Sequence, residues 1–203
     1  MYLTIRTYAG SIGPPEEIGR RVREGVAPML RGMPGFRAYY AAAMDGDGGA
    51  FSVTVFDTRT QALDANERTR AWVTANMRDL LPDPPEVTGG EVTHYEASEG
   101  AAGRDGYVAV RVFDGAGPRE RVRDRVGAVK APLHARQPGF RRFWALRSES
   151  HAARAVAVTI HEDAAVAAAA QAQVLEAVAA EMGDLLPDAP KVLAGPVLVG
   201  EMA

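Results

Sequence analysis

Trp72 and Asn76 are the side chains best suited to chemistry in this 203-residue chain. A spacing of four residues places the two on one face of a helix. On that face the indole could stack on a planar molecule while the amide donates a hydrogen bond to one of its oxygens. We therefore take Trp72 and Asn76 as candidate catalytic residues, although a core tryptophan beside a solvated asparagine would give the same pattern.

Three further side chains are candidate substrate-binding residues, namely Tyr40, Arg6 and His94. Alternation along the first strand places Arg6 on the same face as Tyr8. There it could hold an anionic substrate, or it could be a structural arginine paired with a carboxylate such as Asp57. Tyr40 could contact a planar ligand, although aromatic residues at such positions are mostly core. An isolated strand histidine such as His94 is more often exposed or simply hydrogen-bonded than functional.

The sequence predicts neither a metal site nor a cofactor. It contains no cysteine and four histidines, none of which has a partner at the spacing of metal ligands. Residues 45–49 resemble the start of a calcium-binding loop but lack its terminal glutamate. Any chemistry is therefore left to aromatic, amide, arginine and histidine side chains.

The composition is that of a globular protein with one or two domains. Hydrophobic residues make up 47% and charged residues 24% of the chain, and the formal net charge of −3 argues against charge-driven binding of nucleic acid. No stretch approaches the roughly 18 apolar residues that span a bilayer, and the first residues lack the features of a signal peptide. We therefore expect a cytoplasmic protein with no nucleic-acid partner and no membrane partner.

Three sequence blocks occur twice in the same order, at offsets of 104 or 105 residues. The matching blocks are 2–8 and 107–113, 34–37 and 138–141, and 77–85 and 182–190. Such self-similarity indicates a tandem duplication. It predicts one domain over 1–97 and a second over 106–203. The segment 98–105, which is rich in glycine and other small residues, is predicted to be a flexible linker.

Each copy shows the same pattern of predicted elements. In the first copy these are a strand over 2–9, a helix over 14–30, strands over 36–44 and 51–57, a helix over 59–80 and a strand over 86–96. Pro28 and its counterpart Pro132 should kink or end the first helix of each copy. The order βαββαβ is that of a ferredoxin-like plait, whose bare sheet face must be covered. The sequence thus predicts an α+β protein in which two ferredoxin-like repeats close an intramolecular, pseudo-dimeric α+β barrel.

The first strand, the Pro34-Gly35-Phe36 entry into the second strand, the long second helix and the last strand over 90–96 together resemble the antibiotic biosynthesis monooxygenase (ABM) family. This family belongs to the dimeric α+β barrel superfamily. Its members include cofactor-independent oxygenases of anthrones and quinols and also haem-degrading monooxygenases. The resemblance implies a cofactor-independent monooxygenase that acts on a small aromatic or quinol-like molecule, with its pocket between the helices and the sheet.

The two copies differ in the helix that would line such a pocket. Alanine stands at position 177, the counterpart of Trp72, so the first copy is the better candidate for a site. Neither second helix carries the histidine expected of the haem-degrading branch, which makes haem binding a weaker reading. A non-enzymatic ligand-binding or structural barrel remains the alternative, and further homo-oligomerisation of the pseudo-dimer stays open.

Overall fold

The computed structural model describes residues 1–10, 12–46, 48–98 and 106–203, apart from the side chains of residues 130–132, 134 and 135. The strands are β1 (Tyr2–Tyr8), β2 (Phe36–Ala43), β3 (Ala50–Phe56), β4 (Glu86–Ala97), β5 (Tyr107–Phe113), β6 (Phe140–Arg147), β7 (Ala155–His161) and β8 (Lys191–Met202). The helices are α1 (Pro15–Glu24), α2 (Val26–Arg31), α3 (Arg59–Asn76), α4 (Arg119–Ala135) and α5 (Ala164–Met182). Residues 99–105 of the predicted linker lie outside the described residues, as does Asp47, which falls between the predicted strands 36–44 and 51–57.

The eight strands form one closed antiparallel barrel in the order β1-β3-β2-β8-β5-β7-β6-β4. Residues 1–97, here called the first half, supply four neighbouring strands, and residues 106–203, the second half, supply the other four. The halves meet where β2 pairs with β8 and where β4 pairs with β6. The predicted α+β barrel is therefore confirmed at the level of a closed eight-stranded barrel with helices outside it.

The barrel interior is an apolar core to which both halves contribute. Leu3 and Ile5 of β1 lie inside it, together with Val108 and Val110 of β5. Because neighbouring strand residues point to opposite faces, Arg6 lies on the outer face, as alternation predicts. Burial of each such aliphatic side chain contributes about 1.5–3 kcal/mol, which stabilises the union of the two halves.

The outer face of the sheet is covered by helices, with separate apolar cores under α1–α3 and under α4–α5. Helix α3 begins with a capping box, in which the side chains of Thr58 and Gln61 bond to each other's backbone N–H groups. It ends at Asn76, four residues before the predicted end. None of the described helices is long and apolar enough to cross a membrane.

The helix predicted over 14–30 is divided at Gly25 into α1 and α2. Pro28 lies four residues after Glu24, whose carbonyl its ring would meet in a continuous helix. Within α2 Pro28 is the third residue, where a backbone N–H would lack an intrahelical partner in any case. The helix therefore does not end at Pro28, and α4 likewise continues through position 132 to Ala135.

Candidate functional site

A cavity of about 730 Å³ lies between β1, α3 and the segment that leads from α3 to β4. We call it the helix–sheet cavity. The polar and charged side chains that line it through β1 and α3 include Arg6, Tyr8, Asn66, Glu67 and Arg70. Residues 81–85, with three prolines, form the opposite wall. Since proline fixes φ, this wall is stiff for a loop.

Arg6 is the buried charge of the cavity, with only 3% of its surface exposed. Its Nη2 donates to the backbone oxygen of Asn66 at 2.9 Å and to Oδ1 of the same residue at 2.6 Å. Burial lowers the pKa of Arg6 from its ordinary value, but arginine stays charged at neutral pH. No described carboxylate forms an ion pair with it. The expected partner Asp57 is instead bound by Arg37, with 2.5 Å between Oδ1 and Nε.

Tyr8 follows Arg6 on the same face of β1 and also lines the cavity. Burial raises the pKa of its phenol above the ordinary value, and the nearby Arg6 charge opposes that rise only in part. The phenol therefore stays protonated at neutral pH. It can donate a hydrogen bond to an oxygen bound beside the guanidinium.

The wall of the cavity carries further charges on exposed side chains. Arg70 and Arg78 add to Arg6, and Glu67 and Asp83 oppose them, so three arginines face two carboxylates. The lining therefore carries one net positive charge, and the buried Arg6, which water screens least, contributes most of its attraction for an anion. This arrangement favours an anion, or a molecule that becomes an anion on losing one proton.

Trp72 and Asn76 lie elsewhere on α3. A Cβ atom added to Gly25 would collide with Cζ2 of Trp72, so the half-buried indole fills the break between α1 and α2. Asn76 is exposed, and its Nδ2 donates to the backbone oxygen of Trp72 at 2.8 Å. Neither residue is among those that line the helix–sheet cavity. Their catalytic role stays a prediction, and their positions give them parts in packing and in ending the helix.

Tyr40 and His94 also lie away from this cavity. Tyr40 is inside the barrel, with its ring centroid 6.3 Å from that of Trp144. His94 is half-buried on β4 and packs against α4, where a Cβ on Gly127 would come within 2.8 Å of its Nε2. Burial, together with the charge of Arg123, lowers the pKa of His94. Of the five predicted residues, the structure places only Arg6 in the helix–sheet cavity.

The polar lining residues that the prediction missed are Tyr8, Asn66, Glu67, Arg70, Arg78 and Asp83. The sequence repeat gave one indication that Asn66 matters. The residue at the equivalent position 105 residues later, Gln171, also carries a side-chain amide. Asn66 and Arg70 also have the four-residue spacing that marks one helix face. Nothing in the spacing alone, however, distinguishes this face of α3 from the face of Trp72 and Asn76.

Haem does not fit the described residues of the helix–sheet cavity. No histidine is found among its lining residues, and His94 packs against α4 instead. His161 is fully buried in the second half, where burial and, to a smaller extent, the nearby charge of Arg111 lower its pKa. The described lining therefore offers no histidine ligand to haem iron.

No family model matches the chain, and no curated protein matches it significantly. Solved structures do match it over nearly its whole length. A candidate monooxygenase from Fusobacterium nucleatum superposes with a TM-score of 0.77 at 10% identity, over 99% of this chain and 94% of that one. One from Lactobacillus acidophilus gives 0.72 at 9% identity, over 99% and 95%. An anthrone oxidase-like protein gives 0.64 at 15% identity, over 100% and 93%. At these identities the likeness establishes the fold, and this chain has the dimeric α+β barrel fold that the sequence resemblance implied.

Proposed function

We propose that the chain is a cofactor-independent monooxygenase that oxidises a small aromatic or quinol-like molecule in the helix–sheet cavity. The observation that carries the proposal is Arg6, a buried cation without a described carboxylate partner, in the wall of a cavity of about 730 Å³. Candidate monooxygenases and an anthrone oxidase-like protein share the fold, which supports the same class of reaction.

In the first chemical step, the substrate loses a proton and becomes an electron-rich anion. A phenol or an anthrone that loses one proton becomes an anion, and the fixed charge of Arg6 stabilises this anion more than its neutral parent. Tyr8 donates a hydrogen bond to the same developing oxyanion. Glu67 or Asp83, both in the cavity wall, can accept the proton.

Molecular oxygen then serves as the oxidant and needs no metal in this scheme. For an anthrone, the anion passes its electrons to O₂, and the methylene carbon loses two hydrogens and gains one oxygen as a carbonyl. The second oxygen atom leaves with the two hydrogens as water. The protein contributes position and electrostatics, and Arg6 also steadies the negative charge that oxygen acquires.

A non-enzymatic ligand-binding role is the second candidate. The observation that favours it is the exposure of Glu67, Arg70 and Arg78, which leaves one side of the cavity open to water. Oxygenation of a reactive anion is served best by a water-excluded site. Binding of an aromatic anion without chemistry needs only the positive wall and the buried guanidinium.

Oxygen uptake with anthrone and a panel of quinols tests the proposal. We expect turnover by the wild type and a loss of about 100-fold in kcat/KM for Arg6→Met, the order seen when an oxyanion-stabilising group is removed. Arg111→Met is the matched control in the second half and should stay within about twofold of wild type. Trp72→Ala and Asn76→Ala, at the predicted catalytic pair, should lower kcat/KM far less than Arg6→Met.

The outcomes separate the two candidates. Saturable binding of a quinol that depends on Arg6, without oxygen uptake, would favour the ligand-binding role. Equal losses in Arg6→Met and Arg111→Met would exclude a specific role for the helix–sheet cavity. A selective loss of kcat in Trp72→Ala or Asn76→Ala would return the chemistry to that pair.

We also propose that the two halves arose by duplication of one βαββαβ unit, with domains 1–97 and 106–203. Three sequence blocks recur in order. The strand orders β4-β1-β3-β2 and β8-β5-β7-β6 correspond strand by strand, which supports the same origin.

A further inference from the structure

A second cavity, of about 410 Å³, lies at the end of the barrel where β2 and β6 begin and β4 and β8 end. We call it the barrel-end cavity. Tyr95, Trp144, Met202 and Arg37 line it, and it shares no lining residue with the helix–sheet cavity. Its position between the two halves makes it a feature of the closed barrel rather than of either half.

Stacked aromatic rings form one wall of the barrel-end cavity. The ring of Tyr95 stacks on that of Trp144 with centroids 5.5 Å apart and planes inclined by 30°. Tyr95 is 41% exposed although it is a large aromatic residue, whereas Trp144 is only 1% exposed. Because the buried Trp144 already holds the exposed Tyr95 ring in place, a further planar ring can stack on Tyr95 at little cost in side-chain entropy.

Trp144 also carries an unused hydrogen-bond donor. Its Nε1 is buried and has no partner among the residues that the structure describes. The hydroxyl of the neighbouring Tyr40 donates to Sδ of Met202 at 3.2 Å, and this thioether sulfur is a weak acceptor. Because the indole nitrogen is buried, a ligand in the cavity does not reach it, and Trp144 contributes as the support on which the ring of Tyr95 stacks.

The positively charged side chains at the barrel-end cavity favour a ligand whose oxygen atoms carry negative charge. Arg37 lines the cavity, and Nη1 of Arg142 donates to the Tyr95 hydroxyl at 2.7 Å. Asp57 offsets part of the Arg37 charge through its ion pair. Arginine near a stacking surface is the usual combination for holding aromatic molecules that bear a carboxylate.

We propose that the barrel-end cavity binds a planar aromatic carboxylate, with its ring stacked on the exposed face of Tyr95 and its carboxylate accepting from the guanidinium of Arg37. The cavity size suits a ligand of one or two fused rings. This site is independent of the helix–sheet cavity, so the proposal does not depend on the oxygenase function.

The indole N–H signals of the nitrogen-labelled protein test the proposal directly by NMR. The chain has two tryptophans, and Trp72→Phe identifies which signal belongs to Trp144. On titration with 2-naphthoate, we expect the Trp144 indole signal to shift, because its stacked neighbour Tyr95 contacts the ligand, and to saturate at one ligand per chain, while the Trp72 signal stays in place. The alcohol 2-naphthalenemethanol, which lacks the carboxylate, should bind about tenfold more weakly.

Variants separate stacking from the alternatives. Tyr95→Ala should raise the Kd of 2-naphthoate about tenfold, whereas Tyr95→Phe, which keeps the ring, should stay within about threefold. Tyr95 is exposed, so both variants should fold. Arg6→Met should leave the titration of the Trp144 signal unchanged.

Two results would overturn the proposal. One is a Trp144 signal that does not move at saturating 2-naphthoate. The other is an affinity that responds to Arg6→Met and not to Tyr95→Ala, which would assign the probe to the helix–sheet cavity.

Discussion

Arg6 of β1 and Arg111 of β5 occupy equivalent positions in the two halves of the barrel and have different surroundings. Both donate to an amide side chain on the facing helix, Asn66 in one half and Gln171 in the other. Arg111 is fully buried, and its Nη1 also donates to Oγ1 of Thr159 at 2.9 Å. Burial lowers the pKa of Arg111 to about 10. Arg6, by contrast, lines an open cavity of about 730 Å³.

The walls around the two arginines explain the difference. Arg70 and Arg78 in the first half correspond to Leu175 and Gly183 in the second, so two cations are absent from the second half. A buried arginine at this strand position is therefore compatible with a purely structural role. The neighbouring helix and loop decide whether its charge is available to a ligand.

The largest expected effect comes from truncating the enclosed arginine. Arg111→Ala should lower the free energy of unfolding by about 4 kcal/mol, because it leaves a void and removes the partners of Gln171 and Thr159. Arg6→Ala should cost about 2 kcal/mol, since water can reach the vacated space. Denaturant titration measures both. Arg111→Met, which keeps most of the volume, should cost less than about 1.5 kcal/mol. Equal losses for the two alanine variants would mean that the two environments do not differ as described.

A second comparison concerns the break between α1 and α2, which has no equivalent in the continuous helix α4. Gly25→Ala should destabilise the protein by about 3 kcal/mol, because the new methyl group collides with the indole of Trp72. In a Trp72→Ala background the same change should cost less than about 1 kcal/mol, since the collision is gone and only the weaker preference for alanine at a helix cap remains. A double-mutant cycle gives the coupling. Independent, additive effects would contradict the packing role of Trp72.

Residue His161 in the second half corresponds to Phe56 in the first, and this difference predicts a pH effect. His161 is fully buried, and burial, with the Arg111 charge, lowers its pKa from 6.5 to about 4. Between these values the unfolded chain binds a proton that the folded chain does not. The free energy of unfolding should therefore fall by about 2 kcal/mol as the pH falls from about 6.5 to about 4.

Unfolding of His161→Phe, followed at several pH values, isolates this contribution. The variant should place an aromatic ring against Phe140, as Phe56 does against Phe36 in the first half. Its stability should lack the fall seen in the wild type over the same pH range. A fall of equal size in both proteins would assign the effect to other groups.

The smallest effect on stability should come from exposed ion pairs that, in each half, join the first helix of that half to the segment after its last helix. Asp79 accepts two hydrogen bonds of 2.8 Å from Arg21, which hold its pKa below the ordinary value. In the second half, Asp184 lies 3.0 Å from Arg121 and 3.8 Å from Arg125. Asp79→Asn should lower the Tm by about 1 °C, and Asp184→Asn by less, because exposed pairs contribute little. Thermal unfolding at low and high salt checks the order, and a larger shift for Asp184→Asn would reverse it.

The sequence predicted the barrel well because its signals are local and are repeated. Alternation along β1 separates Leu3 and Ile5, which lie inside the barrel, from Arg6, which faces the helices. Proline-rich stops and turn residues placed the strands and helices to within a few residues, apart from the break at Gly25. That break depends on where the Trp72 ring lies, which no local pattern contains.

The candidate site was harder to predict, because it depends on how α3 is rotated about its axis. Asn66 with Arg70 and Trp72 with Asn76 are two equally regular pairs on this helix, and only the first lies in the cavity wall. Helix α3 is polar on several sides, so hydrophobic periodicity does not fix the rotation. The face on which Arg6 lies was predictable because a strand has only two faces, and its role as a substrate-binding residue stays a prediction.

Because one chain supplies all eight strands, the barrel should not open on dilution, unlike a barrel that two separate subunits assemble. Each position in the sequence also occurs once per barrel, whereas in a symmetric dimer every substitution appears twice. A change at Arg70 therefore alters one wall and leaves Leu175 untouched. Substitutions in one half can therefore change its cavity wall while the other half keeps the residues that stabilise the shared core.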